Sequence, residues 1–353
     1  MDLNALRNKI DGLDAKIVTL LNERAQITLA VGQHKLQNNK SIYAPEREKQ
    51  VLERVKKLSK GPIKAQSFEA IYREIMSASL NLEKPLRIAY MGPEATFSHL
   101  AALKRFGSSV DYVACENVAE VFSKVEHQDC DYGVVPIENS IEGVVNHTMD
   151  MLVETDLKIC SQIMLDVSHN LMAKVALNKI KTIYSHPQVF GQCRQWLLKN
   201  LPGVEQVSVV STTKAAQIAA KNKNAACIAS EVAATLYDLK VLKRNIQDSA
   251  HNITRFLVIS TADVPLTGRD RTSLVFSIKD KVGALHGMLS PFMKNNINLT
   301  KIESRPSKKK AWEYYFFVDC EGHQHDPKVA KALVQLESMC KFLKILGSYP
   351  VLE

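Results

Sequence analysis

Residues 2–37 read DLNALRNKIDGLDAKIVTLLNERAQITLAVGQHKLQ, with Leu3, Leu6, Ile10, Leu13, Ile17, Leu20, Ile27 and Val31 three, four or seven positions apart. Such steps lay the apolar side chains along one stripe of an α-helix. The pattern predicts a single helix from about Asp2 to about Gln37, ~50 Å long at 1.5 Å per residue. A second helix starts at Ala44-Pro45-Glu46, with proline in the first turn, and runs to about Ser59 before Gly61-Pro62. A third covers about Ala65 to Leu82 and is closed by Pro85. Two short helices cannot cover so long a stripe. The all-α segment, residues 1–84, is therefore expected to pair with a second copy, as a homodimer or a higher homo-oligomer.

Charge interrupts the stripe at Arg24, where the spacing from Leu20 calls for an apolar residue. A guanidinium there needs a partner. Two readings stand open: a structural ion pair with a glutamate of the second helix, or a site for an anion. Lys35 follows after eleven residues, about three turns, so both cations face nearly the same side ~16 Å apart. Arg7 lies ~42 Å from Lys35 along the same helix. It reaches the same small site only from an antiparallel second copy, and is otherwise a solvated face residue. In the third helix the stripe Phe68, Tyr72, Ile75 continues into Ser79 and Glu83. Burial raises the pKa of a carboxyl, which would let Glu83 donate a hydrogen bond; the alternative is a solvated glutamate at a frayed helix end. Arg47 and Glu48, at the start of the second helix, are placed to complete a pocket.

The strings Leu6-Arg7-Asn8-Lys9-Ile10-Asp11, Leu21-Asn22-Glu23-Arg24, Val31-Gly32-Gln33-His34-Lys35 and Arg47-Glu48 resemble the all-helical chorismate mutase family. The resemblance implies that Arg7 of one protomer, with Arg24 and Lys35 of the other, grips the two carboxylates of chorismate. It also implies that Lys35 and Glu83 flank the ether oxygen, Glu48 takes the ring hydroxyl, Arg47 braces the pocket and Ser79 meets a carboxylate. The family often carries aspartate where Ala44 stands and glutamine where Glu83 stands. A pericyclic rearrangement needs no nucleophile or metal. It needs a folded substrate and positive charge where electron density grows.

From Leu86 the pattern changes. Strand-like runs at Arg87–Met91, Tyr132–Pro136, Lys158–Leu165, Thr182–Tyr184, Val207–Val210, Ala225–Ala229 and Arg255–Ser260 alternate with helical stretches. The alternation predicts an α/β domain over residues 86–262 with a mostly parallel sheet and ligands beyond the strand ends. Met91-Gly92-Pro93-Glu94-Ala95-Thr96-Phe97-Ser98, Glu138-Asn139-Ser140, Tyr184-Ser185-His186-Pro187-Gln188, Ser211-Thr212-Thr213 and Thr254-Arg255-Phe256 all sit at strand ends or starts. Each alone reads as a cap or turn; jointly they can line one cleft. Together they resemble prephenate dehydratase, which implies a two-lobed fold like type II periplasmic binding proteins. The resemblance makes Thr254 catalytic and places Thr96, Ser98, Glu138, Asn139, Ser140, Ser211, Thr212 and Arg255 on substrate. Prephenate loses carbon dioxide and water as its ring becomes aromatic, so the departing hydroxyl needs a proton; Glu138 and His186 are the candidate sources, His186 being alternatively a helix cap.

Ala262–Arg271, with Pro265 and Gly268, reads as a linker. Beyond it the order strand, helix, strand, strand, helix, strand over residues 272–350 is a ferredoxin-like α+β plan. Lys281-Val282-Gly283-Ala284-Leu285 and Ile302-Glu303-Ser304-Arg305-Pro306 resemble the ACT regulatory domain. That implies phenylalanine bound by Gly283, Ala284, Leu285, Glu303, Ser304 and Arg305 at a domain dimer interface, with valine in the family where His286 stands. Cys320, His323 and His325 have a metal-like look but read as a solvated turn, and no metal or other cofactor is expected. The combined expectation is a multidomain, two-reaction enzyme of phenylalanine biosynthesis. It takes chorismate to prephenate and on to phenylpyruvate, under feedback by L-phenylalanine.

Composition agrees. The chain has 353 residues, 46% of them apolar and 24% charged, which excludes a disordered or collagen-like chain. The seven cysteines include no CxxC pair, and with no apolar leader they indicate a reducing, cytoplasmic setting. The net charge of +9 is spread along the sequence. Lys308-Lys309-Lys310 is the one cluster and reads as a hairpin turn, so small anions are expected rather than nucleic acid or a membrane. Two competing readings are an amino-acid sensor or transcription regulator, and a dehydratase whose helices only dimerise.

Overall fold

The computed structural model describes residues 2–38, 42–249, 251–278, 282–308 and 313–351. Lys281, Lys309 and Lys310, invoked above, lie outside them. The chain divides into two compact units, one running to Arg87 with Phe106–Asp111 added, the other holding the remainder.

The first unit is α1 (Leu3–Gln37), α2 (Pro45–Leu58) and α3 (Ala65–Glu83). Ile42, Tyr43, Val55, Met76 and Leu80 form its small core. Within α1 only Thr28 and Gly32 are buried. A Cβ on Gly32 would lie 2.9 Å from the Cα of Glu83, so this glycine lets α1 and α3 close together there. The predicted stripe is bare: Leu3, Leu6, Ile10, Leu13, Ile17 and Leu20 are 44–62% exposed. The segment Phe106–Asp111 is tied to α3, the Ser109 amide donating to Ser77 Oγ (3.0 Å) and the Ser108 amide to Glu74 (3.0 Å).

The second unit begins with β1 (Arg87–Met91), α4 (Phe97–Phe106), β2 (Asp111–Cys115), α5 (Val118–Glu126), β3 (Tyr132–Asn139), β4 (Gly143–Val144), α6 (Asn146–Glu154) and β5 (Lys158–Asp166). Then follow β6 (Asn170–Ala173), β7 (Thr182–Ser185), α7 (Pro187–Gln192), α8 (Arg194–Asn200), β8 (Glu205–Ser208), α9 (Thr212–Lys221), β9 (Ala225–Ala229), α10 (Glu231–Leu236), β10 (Lys240–Lys243) and β11 (Ile253–Ser260). There are two sheets rather than one. The first has the order β2-β1-β3-β11-β5 with β4 on β3, the second β10-β6-β9-β7-β8. The expectation of mostly parallel pairing fails. β1–β3, β7–β8 and β7–β9 are parallel, but β3–β11, β11–β5, β6–β9 and β6–β10 are antiparallel. The cause is β11, which returns from the second lobe and inserts between β3 and β5. The strand expected at Val207–Val210 sits two residues earlier, leaving Val210 in solvent.

The chain ends with β12 (Asp270–Ser277), α11 (Ala284–Lys294), β13 (Leu299–Pro306), β14 (Tyr314–Glu321), α12 (Pro327–Glu337) and β15 (Phe342–Pro350). Their antiparallel sheet has the order β13-β14-β12-β15. Met288, Phe292, Val329 and Leu333 of the two helices pack with Leu274, Phe276 and Val318 of the sheet. Val275, Phe317, Leu346 and Tyr349 join Phe122, Val135, Ile159 and Leu257 in a single core. So Ala262–Arg271 connects two folds that share an interior. Gly347 marks the closest approach: with φ +154°, a Cβ there would lie 2.2 Å from the Ile159 carbonyl oxygen. The expected solvated turn is also corrected. Cys320 and His323 are buried, and the His323 ring bonds to the Val264 carbonyl (2.9 Å) and the His325 amide (3.1 Å).

Candidate functional site

In the first unit a cavity of about 670 Å³ opens between the helices. Arg24, Lys35, Ala44, Arg47, Glu48, Ser79 and Glu83 all line it. One Arg24 Nη donates to Ser79 Oγ, whose own proton goes to the Ile75 carbonyl (2.8 Å). Lys35 Nζ donates to the Ile42 carbonyl (2.8 Å) and to Glu83 Oε2 (2.7 Å). The side chains of Lys35 and Glu83 are only 20% and 8% exposed. So Glu83 is not a frayed terminus; it accepts from the lysine beside it, as Gly32 permits. Arg47 is exposed and donates to Gln50 (3.1 Å). Arg7 is exposed and does not line the cavity. Sequence reasoning missed Glu46, whose Oε2 is buried with no hydrogen-bond partner among the described residues; no periodicity flags it.

In the second unit a cleft of about 540 Å³ is lined by Thr96, Ser98, Asn139, Ser211, Thr212 and Thr254, as expected, and by His186. Thr96 Oγ1 donates to the Met91 carbonyl (3.0 Å), and Ser211 Oγ accepts the Lys214 amide (3.0 Å), capping α9. His186 is both cap and cleft residue, its Nδ1 accepting the Gln188 amide. Asn139 Nδ2 donates to Thr254 Oγ1 (2.8 Å) and to Asn252 Oδ1 (2.8 Å). Sequence reasoning missed His169, Glu142 and Gln192, which also line the cleft. They stand singly, outside any quoted motif, and only the fold assembles them. Burial lowers the pKa of His169 against the opposing hydrogen bond to Gln192.

Three expected substrate contacts lie elsewhere. β11 pairs with β3 so that Thr254 opposes Asn139 and Arg255 opposes Glu138. Paired residues share a face and successive residues alternate. Thr254 and Asn139 therefore look into the cleft, while Arg255 and Glu138 look at the C-terminal fold. Arg255 is buried, donating to Asp319 Oδ2 (2.7 Å) and the Tyr349 hydroxyl (2.8 Å). Burial opposes its charge, but Tyr349 and Asp319 together hold its pKa above the ordinary value. Glu138 is ion-paired with Lys301. Ser140 braces the strands, donating to the His251 carbonyl (2.8 Å) and accepting the Ile253 amide (3.0 Å). With Glu138 facing away, His186 is the one of the two candidate proton sources that lines the cleft.

In the C-terminal fold Gly283 precedes α11 at φ +76°, a left-handed conformation that favours glycine. Ala284 is buried, Leu285 and Ser304 are exposed and Glu303 is half-buried. Arg305 is held by α6, donating from Nε and Nη2 to Asp150 (3.0 and 2.7 Å) and from Nη1 to Asn146. Its guanidinium anchors the fold instead of standing open to a ligand.

Three family models match in order: chorismate mutase type II over residues 6–84, prephenate dehydratase over 88–264 and the ACT domain over 272–338. A bifunctional chorismate mutase/prephenate dehydratase of Aquifex aeolicus is 50% identical over 354 residues, covering 99% of this chain and 98% of the relative. The chain belongs to the bifunctional chorismate mutase/prephenate dehydratase family. Its counterpart in Stutzerimonas stutzeri is 44% identical over 99% of this chain and 97% of its own length. Among solved structures, prephenate dehydratase from Arthrobacter aurescens in complex with L-Phe superposes with a TM-score of 0.71 at 31% identity, over 76% of this chain and 90% of that one. The two cavities thus belong to an enzyme with both activities, and the sensor and dehydratase-only readings fall away.

Proposed function

We propose that the helical cavity converts chorismate to prephenate between two copies of the chain. The observation that carries this reading is a cavity holding Arg24, Lys35 and Arg47 beneath a bare apolar stripe, with Arg7 far from it on the same helix. Arg24 and Lys35, with Arg7 of the second copy, take the two carboxylates. Lys35 stands beside the ether oxygen and stabilises it as the C–O bond breaks. Glu48 receives the ring hydroxyl, Ser79 orients Arg24, and Glu83 orients Lys35. Mixing tests it. Arg7→Ala and Lys35→Ala proteins each lack mutase activity, and a dimer of one of each holds one intact site. Recovery of activity on mixing supports the shared site; none on mixing, or full activity in the Arg7→Ala protein, refutes it.

Prephenate then enters the cleft, where Thr96, Ser98, Ser211 and Thr212 offer hydroxyls and two helix N-termini to its carboxylates. The departing hydroxyl leaves with its bonding pair, takes a proton from His186 or solvent and becomes water. The electrons of the breaking bond to the carboxylate enter the ring, and carbon dioxide departs. Thr254 donates a hydrogen bond to the leaving oxygen. If Thr254→Val keeps the dehydratase rate, this role is wrong.

The division into residues 1–84, 86–262 and 272–350 follows these roles. L-phenylalanine is the feedback effector, bound at the C-terminal fold near Gly283, Ala284, Leu285, Glu303 and Ser304, with Arg305 and Asp150 transmitting its presence to α6. The L-Phe in the Arthrobacter aurescens structure and the ACT match support that assignment.

A further inference from the structure

The dehydratase cleft contains a chain of neutral amides whose direction is fixed at both ends. At one end the backbone amides of Ile141 and Glu142 point at the same side-chain atom of Asn139 (2.9 and 3.0 Å). Backbone N–H groups only donate, so that atom is the oxygen. The NH₂ of Asn139 then faces Asn252 Oδ1 and Thr254 Oγ1, both at 2.8 Å. Asn252 in turn points its NH₂ at Gln192 Oε1 (2.9 Å). Gln192 points its NH₂ at Glu142 Oε1 (2.9 Å), and an ionised carboxylate only accepts. Either terminus alone dictates one orientation for all three amides, and both dictate the same one. His169 Nε2 meets Gln192 Oε1 at 2.8 Å and must therefore carry the ring proton. Its Nδ1 is buried without a hydrogen-bond partner among the described residues, as the bare nitrogen of that tautomer would be. The Phe97 ring, at 5.6 Å edge-on, walls the histidine in.

We infer that His169, Gln192 and Asn252 are positioning residues of the dehydratase, a directional relay that holds the Asn139 NH₂, already aimed by the Ile141 and Glu142 amides, on Thr254 and so keeps the Thr254 hydroxyl proton turned toward the substrate. A threonine hydroxyl can donate or accept. Here its oxygen is already occupied by the Asn139 NH₂, and the proton is left for the cleft. Gln192 comes from the second lobe and Asn252 and Asn139 from the first, so the relay is whole only when the lobes are in this arrangement. The inference rests on Thr254 acting at the leaving oxygen.

Two measurements on the full-length enzyme test it. In protein labelled with ¹⁵N-histidine, His169 should appear as the neutral tautomer with a protonated Nε2. A neutral ring with its proton on Nδ1 and a bare Nε2 near neutral pH overturns the direction of the relay, whereas any ring carrying a proton on Nε2 supports it. In Gln192→Met, dehydratase kcat should fall about tenfold, the worth of one oriented hydrogen bond, with KM for prephenate nearly unchanged and mutase activity kept. An unchanged kcat, or a rise in KM alone, overturns the positioning role. The two failures are distinguishable: Thr254→Val that retains the dehydratase rate sinks the reading beneath the relay, whereas a dead Thr254→Val with an indifferent Gln192→Met sinks the relay alone.

Discussion

The two catalytic cavities solve opposite problems. The mutase cavity is walled by full charges, with Arg24 and Lys35 held by a hydroxyl and a carboxylate. The cleft around Thr254 is organised by amides and a neutral imidazole. A rearrangement transfers no proton, so fixed cations beside the growing charge suffice. Loss of water demands a hydroxyl proton aimed one way, and direction comes from donor and acceptor order rather than from charge. The cavities also differ in completeness. The hydrogen bonds around Thr254 lie within one chain, whereas the apolar stripe above the mutase cavity is uncovered.

The sharpest way to break this contrast is crossed substitution. Lys35→Met should lower mutase kcat/KM by ~10²–10³ and Thr254→Val the dehydratase kcat by a similar factor, the scale for removing one transition-state donor. Separate steady-state assays on each variant should show the other activity intact; a coupled loss would mean the sites are not independent. Dilution comes next. If the stripe is a dimer seam, specific mutase activity falls as protein concentration drops through the dissociation constant, while dehydratase activity persists in the same samples. Parallel decay of both would remove the asymmetry. A smaller effect is thermodynamic. Arg255→Met leaves Asp319 buried without its cation, costing ~3–5 kcal/mol of stability in the second unit by denaturant unfolding. Smallest is the acid response. Burial works against the Asp150 carboxylate, but hydrogen bonds from Lys308 and Arg305 win and lower its pKa. A lowered folded-state pKa stabilises above the unfolded value and is lost as pH falls through the folded one. Below about pH 4 the second unit should melt earlier, and Asp150→Asn should melt early at neutral pH with a flatter acid dependence.

Helix periodicity made the first unit legible almost residue by residue, because the stripe and its charged interruptions are local. The same holds for the strand–helix order of the C-terminal fold. What stayed hidden is non-local. No property of Asn170–Ala173 or Lys240–Lys243 announces two short strands in a separate sheet, and nothing near Ile253 shows that β11 will separate β3 from β5. Thr254-Arg255-Phe256 is instructive, since a motif read as one unit is divided by strand alternation between two faces. Arg255 and Glu138 look like substrate ligands until the register is known. Gln192 and His169 carry no signal of their own, because their part comes from meeting Asn252.

Gly347 has a consequence for how the chain can change over time. Its missing side chain allows a terminal strand to lie directly on the Ile159 backbone, and Val275, Phe317, Leu346 and Tyr349 fill the space behind the cleft strands. A lineage with no use for the last eighty or so residues could not simply discard them, since truncation would strip the catalytic sheet to water. Any change in what this fold does would have to arrive by point substitution, and the fold itself would persist as ballast that the enzyme stands on.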